Sequence, residues 1–213
     1  HSSIGARKGG AIDYLLNKFP KADITIATDS ETAYAVALAN RGQGFYFSQH
    51  YEPFFWKERA GGLASKREAE LSYVLALKQI VNSRWLGNQL INSGYCNSYQ
   101  LCPNAIDHLI FNGSPKYRRD NKIISIISYG GREAEWKGFR EMCEGMRIAK
   151  SRNPEIQFKW QVYGQALLPP DNEICSYDHL GFLSSEQLAE AYRENDVLLS
   201  ASWYESFPLF PLE

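Results

Sequence analysis

Four charged side chains stand where chemistry on an anionic, hydroxyl-rich substrate would need them. Arg132 and Lys137 are five positions apart in "SYGGREAEWKGF", just after an apolar run. Glu205 and Glu213 are eight positions apart in "ESFPLFPLE", again after an apolar run. Two cations beside a helix start make a clamp for an anion such as pyrophosphate. The first N–H groups of a helix are free, and its dipole places partial positive charge there. Gly130 and Gly131 permit the tight turn that leads into the loop. The two carboxylates can accept hydrogen bonds from sugar or ribose hydroxyls. Pro211 suits the first turn of a helix, and Glu213 would follow within that turn. A fifth candidate, His50, stands with Glu52 at a strand exit in "FYFSQHYEP". Each has a plainer reading: a solvated basic loop, two helix-capping acids, and a structural imidazole. Asn104 and Asp107 in "CPNAID" read as turn chemistry only.

These residues need a scaffold that ends several strands at one place. In open α/β sheets, ligands lie beyond the carboxyl ends of the strands. The spacing predicts a strand within 22–30, a helix in "ETAYAVALAN" and a second strand at Phe45–Ser48. "SKREAELSYVLALKQIVNS" predicts one amphipathic helix, capped by Ser65 with Glu68 three residues on, and with Leu71, Val74, Leu75, Leu77 and Ile80 on its apolar side. A short segment, "SYQLCPNAID", ends in a turn. The polar stretch 112–122, "NGSPKYRRDNK", reads as a linker between an N-terminal unit (1–111) and a C-terminal unit (123–213). Alternation then resumes with "KIISIISYGG", an apolar strand covered on both faces. A helix in "KGFREMCEGMRIAKSRNP" follows, ended by Asn153-Pro154. Then come the strand "QFKWQVYG", the helix "SSEQLAEAYREN" capped by Ser184 or Ser185, and a buried strand "DVLLSAS". This order predicts two doubly wound α/β units.

Composition narrows the partners. The 213 residues carry 23 basic and 24 acidic side chains, so no global field recruits nucleic acid and any anion site must be local. Four cysteines, Cys96, Cys102, Cys143 and Cys175, form no CxxC pair and read as reduced thiols of a cytosolic protein. No apolar run reaches the ~18 residues of a membrane span. "GARKGG" is not a phosphate loop of the Walker type, and no GxGxxG supports a nicotinamide cofactor. The chain opens on His1, which raises the expectation of a preceding segment.

Taken in order, the motifs resemble the retaining glycosyltransferases of the GT-B fold, in the group called family 4 or group 1. The matching pieces are "SQHYEP", "VNSRWLGNQL", "PNAID", "GREAEWKG", "VYG", "LGFLSSEQLAEAYRENDVLLSAS" and "ESFPLFPLE". The last has the family's Glu-seven-residues-Glu spacing. The aromatic "YFSQHYEPFFWKE" and "VNSRWLGNQL" resemble a branch of bacterial rhamnosyltransferase-like enzymes of surface polysaccharide synthesis. The resemblance implies two Rossmann-like units facing across a cleft, both incomplete in this chain. It implies a nucleotide-diphosphate-sugar donor, a glycan or lipid-linked acceptor, no bound metal and no cofactor. It also implies a cytoplasmic enzyme that can associate with the inner face of a membrane. Gly131, Arg132 and Lys137 would hold the diphosphate, Glu205 the donor sugar and Glu213 the ribose, while His50 would face the same cleft. Two positions depart from the pattern. Pro208 replaces a glycine and has no N–H to offer a phosphate, and Ala105 replaces the glycine of "PNG". A non-catalytic sugar-nucleotide-binding module and a sugar-nucleotide epimerase of the same fold are the competing functions.

Overall fold

The computed structural model describes residues 16, 18–56, 62–113, 122–130, 135–165 and 176–213. The chain divides into two units between Asn104 and Ala105, somewhat before the linker expected at 112–122. Most of that linker lies outside the described residues.

The first unit holds four parallel strands in the order β1-β2-β3-β4: Ile24–Ala27, Gln43–Ser48, Lys78–Val81 and Gln100–Leu101. Asp29 starts α1 (Ser30–Ala39) by accepting from Thr32 N–H at 2.7 Å, while the Thr32 hydroxyl oxygen accepts from the Asp29 N–H at 3.1 Å. Asn40 ends it in the left-handed conformation (φ 45°), which asparagine tolerates. Helices α2 (Gly62–Ser72) and α3 (Arg84–Asn92) follow β2 and β3. Because the strands step in one direction, right-handed crossovers carry the helices to one face. Ala27, Tyr46 and Val81 on that face pack with Ala33 and Val36 of α1 and Leu86 and Leu90 of α3. On the opposite face Ile24 and Ile26 remain about half exposed.

One expected element is wrong. The single helix over 65–83 is instead the end of α2, a turn and β3. Ser65 lies inside α2 and so does not cap its start. Leu71 and Val74, expected in the core, are 40% and 53% exposed, whereas Gln79 and Val81 are buried on the strand. Ser83, expected at the helix end, caps the start of α3 by accepting from Leu86 N–H at 3.1 Å. Helical spacing ran on because a helix end and a four-residue strand together imitate one period. Pairing of Phe47 and Ser48 with Ile80 and Val81 decides for the strand, and such long-range bonds leave no local signal.

The second unit repeats the pattern with β5 (Ile123–Tyr129), β6 (Gln157–Tyr163), β7 (Asp178–Gly181) and β8 (Val197–Leu198), all parallel. Their spatial order is β7-β6-β5-β8. Helix α4 (Phe139–Arg152) links β5 to β6, and α5 (Ser185–Glu194) links β7 to β8. Phe139, Met142, Cys143 and Met146 of α4 close the core against Ile126, Trp160 and Val162. Ser184, not Ser185, is the cap of α5. Strand β7 was not expected. The "DVLLSAS" strand is shorter than expected and not fully buried: β8 has two residues, and Val197 is 45% exposed. It sits at the end of the described order and pairs with β5 alone, so only part of the apolar run is held by a ladder.

Candidate functional site

The strand order of the second unit reverses between β5 and β8. The chain steps outward from β5 through β6 to β7, then returns to the other side of β5. At such a switch point the loops leaving the two adjacent strands diverge and open a crevice at the carboxyl ends. Here those loops are the ones that carry Lys137 and Glu205.

Four contacts tie the two loops together. The Trp203 N–H donates to the Trp136 carbonyl at 2.8 Å. The rings of Trp136 and Tyr204 stack at 5.6 Å with an interplanar angle of 11°. The Lys137 ammonium donates to Glu205 Oε1 at 2.6 Å, with side-chain exposures of 17% and 12%. Gly138 lies against Ala201, where a Cβ would fall 1.9 Å from the Ala201 carbonyl oxygen. The Lys137 ammonium also sits 4.1 Å from the Trp136 ring centre and 5.6 Å from that of Phe210, so aromatic faces add to its attraction.

Gly138 is also the N-cap of α4, at φ 69°, and no side chain caps that helix start. The dipole and the first N–H groups of α4 therefore favour negative charge beside Lys137. Glu141 in the first turn answers part of it and accepts from the Trp203 indole at 2.9 Å.

Glu213 belongs to the same unit but has different partners. Leu209–Glu213 form one helical turn, closed by Glu213 N–H on the Leu209 carbonyl at 3.1 Å. The Tyr192 hydroxyl of α5 donates to Glu213 Oε2 at 3.3 Å, and the Tyr163 and Tyr192 hydroxyls lie 2.8 Å apart. Burial pushes the Glu213 carboxyl above its ordinary range, and the Tyr192 bond pulls the other way. Tyr129, at the end of β5, joins this group to the loop of Phe210, with ring centres 5.0 Å apart.

Of the residues expected at the site, Lys137 and Glu205 are thus in contact, and Glu213 is held by the same unit. Gly131 and Arg132 lie outside the described residues. His50 belongs to the first unit, where its ring meets Phe55 edge-on at 5.4 Å and its carbonyl accepts from the Tyr73 hydroxyl at 3.0 Å. Trp136, Gly138, Tyr192 and Tyr204 were not foreseen. A local signal existed: an aromatic residue stands immediately before both Lys137 and Glu205.

Beside His50, Glu52 has a definite structural part. Its carboxylate accepts from the Ser30 N–H at the start of α1, at 3.0 and 3.2 Å, and from the Tyr46 hydroxyl at 2.9 Å. Burial raises its carboxyl above the ordinary value, while the bonds from Ser30 and Tyr46 oppose the rise. Folded Glu52 therefore keeps its proton to higher pH than unfolded Glu52. In that window the folded state binds more protons, so stability falls as pH rises through it. Wild-type melting temperature is expected to carry this loss as pH rises above the ordinary glutamate range. Glu52→Gln keeps an acceptor for Ser30 but cannot ionise, so it should lack that component. Identical melting profiles for the two proteins would contradict the assignment.

Among the described residues, no group of three or more His, Cys, Asp or Glu side chains could hold a metal ion. No helix there is long and apolar enough to cross a membrane.

No protein-family model matches the chain, and no curated protein matches it by sequence. Solved structures do match it by shape. TarM superimposes with a TM-score of 0.65 at 14% identity, covering 93% of this chain and 40% of that one. The apo lipopolysaccharide outer core galactosyltransferase WaaB gives 0.59 at 16% identity, covering 96% and 56%. A putative UDP-N-acetylglucosamine 2-epimerase from Listeria monocytogenes gives 0.51 at 15% identity, covering 92% and 56%. The present chain thus spans about half the length of these structures. The likeness reaches the fold and no further, and with the two parallel sheets it identifies an α/β chain of two Rossmann-like units of the GT-B kind.

Proposed function

We propose that the chain is part of a glycosyltransferase that moves a sugar from a nucleotide-diphosphate-sugar donor to a glycan or lipid-linked acceptor. The observation that carries this reading is the Lys137–Glu205 pair at the switch point of the second sheet. One cation and one carboxylate, held by aromatic walls at strand ends, suit the two halves of such a donor. Lys137, with Gly131 and Arg132 a few positions earlier in the sequence, would hold the diphosphate and stabilise it as negative charge grows on departure. Glu205 would accept hydrogen bonds from the sugar, and Glu213 from the ribose. His50 would act at the acceptor side. In this reading transfer proceeds with retention and needs no metal, because the two cations meet the leaving charge. Cell-surface polysaccharide synthesis, at the cytoplasmic face of a membrane, is the setting the resemblance suggests.

Two observations favour other uses of the same site. One structure of similar shape is described as a putative UDP-N-acetylglucosamine 2-epimerase. Pro208 lacks the N–H that a phosphate would take from a glycine there, which favours a module that binds without turnover. A single panel separates the three. The intact protein is melted with UDP-, GDP- and dTDP-sugars, and parallel unheated mixtures, with and without a glycan or lipid-linked acceptor, are assayed for a changed sugar and for transfer. At a hundred times the dissociation constant, a donor should add about 2.7 kcal/mol to apparent stability. Transfer to an acceptor is the expected result. Inversion at one sugar carbon without transfer would replace it by the epimerase, and a thermal shift without chemistry by the binding module. No shift with any donor would refute all three.

A further inference from the structure

We propose that Glu205 is the resting occupant of the Lys137 ammonium, and that an arriving diphosphate displaces it and so frees its carboxylate for the sugar. The inference rests on the sugar-nucleotide reading of this site. It starts from an apparent contradiction: the cation meant for phosphate is already neutralised, by a carboxylate at 2.6 Å with both side chains mostly shielded from water. A phosphate oxygen and a carboxylate oxygen compete for the same three ammonium protons, and a diphosphate brings the larger charge. Exchange therefore favours the diphosphate once it is seated at the uncapped start of α4.

The surroundings limit what can move. The Trp203–Trp136 backbone bond, the Trp136–Tyr204 stack and the Gly138–Ala201 approach hold both loops without help from the ion pair. Lys137 stays above the Trp136 ring. Glu205 can thus leave by side-chain rotation alone, with no loop rearrangement. Before the donor arrives, the pairing keeps a carboxylate from lying unpaired in a mostly buried site. After it arrives, the same carboxylate is released beside the sugar. Diphosphate binding and the readiness of Glu205 are one event.

Calorimetric titration of the intact protein with inorganic pyrophosphate and with UDP tests this, using wild type, Glu205→Gln, Lys137→Met and the double variant. Glu205→Gln should bind both probes about three- to tenfold more tightly, since no internal anion has to be displaced. Lys137→Met should weaken binding by about tenfold or more. In the Lys137→Met background, Glu205→Gln should bring no gain. A gain that persists there would mean simple charge repulsion and overturn the exchange. Unchanged or weaker binding by folded Glu205→Gln, with Lys137→Met still impaired, would overturn the exchange while leaving the site reading intact. Failure of every protein to bind either probe would overturn the site reading and the exchange with it. Should a variant not fold, a wild-type structure with pyrophosphate decides. Glu205 off Lys137 supports the exchange, and the ion pair intact beside bound pyrophosphate overturns it.

Discussion

Lys137→Met is expected to lower transfer by about 10²–10³-fold, the loss typical of removing one preorganised group that meets developing charge. The Trp136 and Phe210 rings hold the ammonium in place before any substrate binds, so its position need not reorganise during reaction. The variant should also lose stability, by about 1–3 kcal/mol, because Glu205 is left mostly buried without its donor. The two effects can be told apart. Adding Glu205→Gln to Lys137→Met removes the stranded charge and should recover much of the stability, with activity still lost. Kinetics and urea unfolding of the single and double variants are the measurements. Wild-type turnover in Lys137→Met would end the assignment of this residue to the leaving group.

Gly138→Ala is expected to cost about 2–5 kcal/mol. A left-handed backbone disfavours any Cβ by about 1–2 kcal/mol, and here φ is 69°. The new atom would also meet the Ala201 carbonyl oxygen 1.9 Å away. That neighbour is backbone, so relief requires moving the loop after β8, and crowding of this kind adds about 1–3 kcal/mol. Because the loop carries Tyr204 and Glu205, surviving protein should show weakened donor binding as well. Gly145→Ala supplies the contrast. Gly145 lies inside α4 and an added Cβ would meet nothing within 4 Å. Alanine there should stabilise by about 0.4–1 kcal/mol through the unfolded chain. Equal effects of the two substitutions on the urea midpoint would contradict this account.

Where the sequence could be read, the cause was local. The α1 region announces itself through helical apolar spacing, and β5 through a largely apolar run, broken only by Ser125 and Ser128, of the kind that a parallel strand buried on both faces requires. Asn153 closes α4 as expected, its side chain donating to the Ala149 carbonyl at 2.9 Å. What escaped was set by distant partners. Strand β3 exists because Phe47 and Ser48 pair with Ile80 and Val81, and the short β7 because β6 offers it an edge. At the site, charge type and strand exits pointed to Lys137 and Glu205 as separate candidates. Their contact with each other follows from the return of the chain to the far side of β5, a fact of topology that no local spacing encodes. The partnership of Tyr192 with Glu213 was hidden for the same reason.

The four ties between the loops after β5 and β8 also govern which changes in chain length the protein can accept. Surface loops generally tolerate inserted or deleted residues. Here one residue added between Trp136 and Gly138 would shift ring, ammonium and glycine against fixed counterparts at Ala201, Trp203, Tyr204 and Glu205. No single compensating slip restores all the pairings, since each counterpart sits at its own position on the second loop. The two segments act as a gauge for one another: an insertion in either is accommodated only outside 136–138 and 201–205. Length variants of this unit should survive when the extra residues fall beyond those limits, and fail within them.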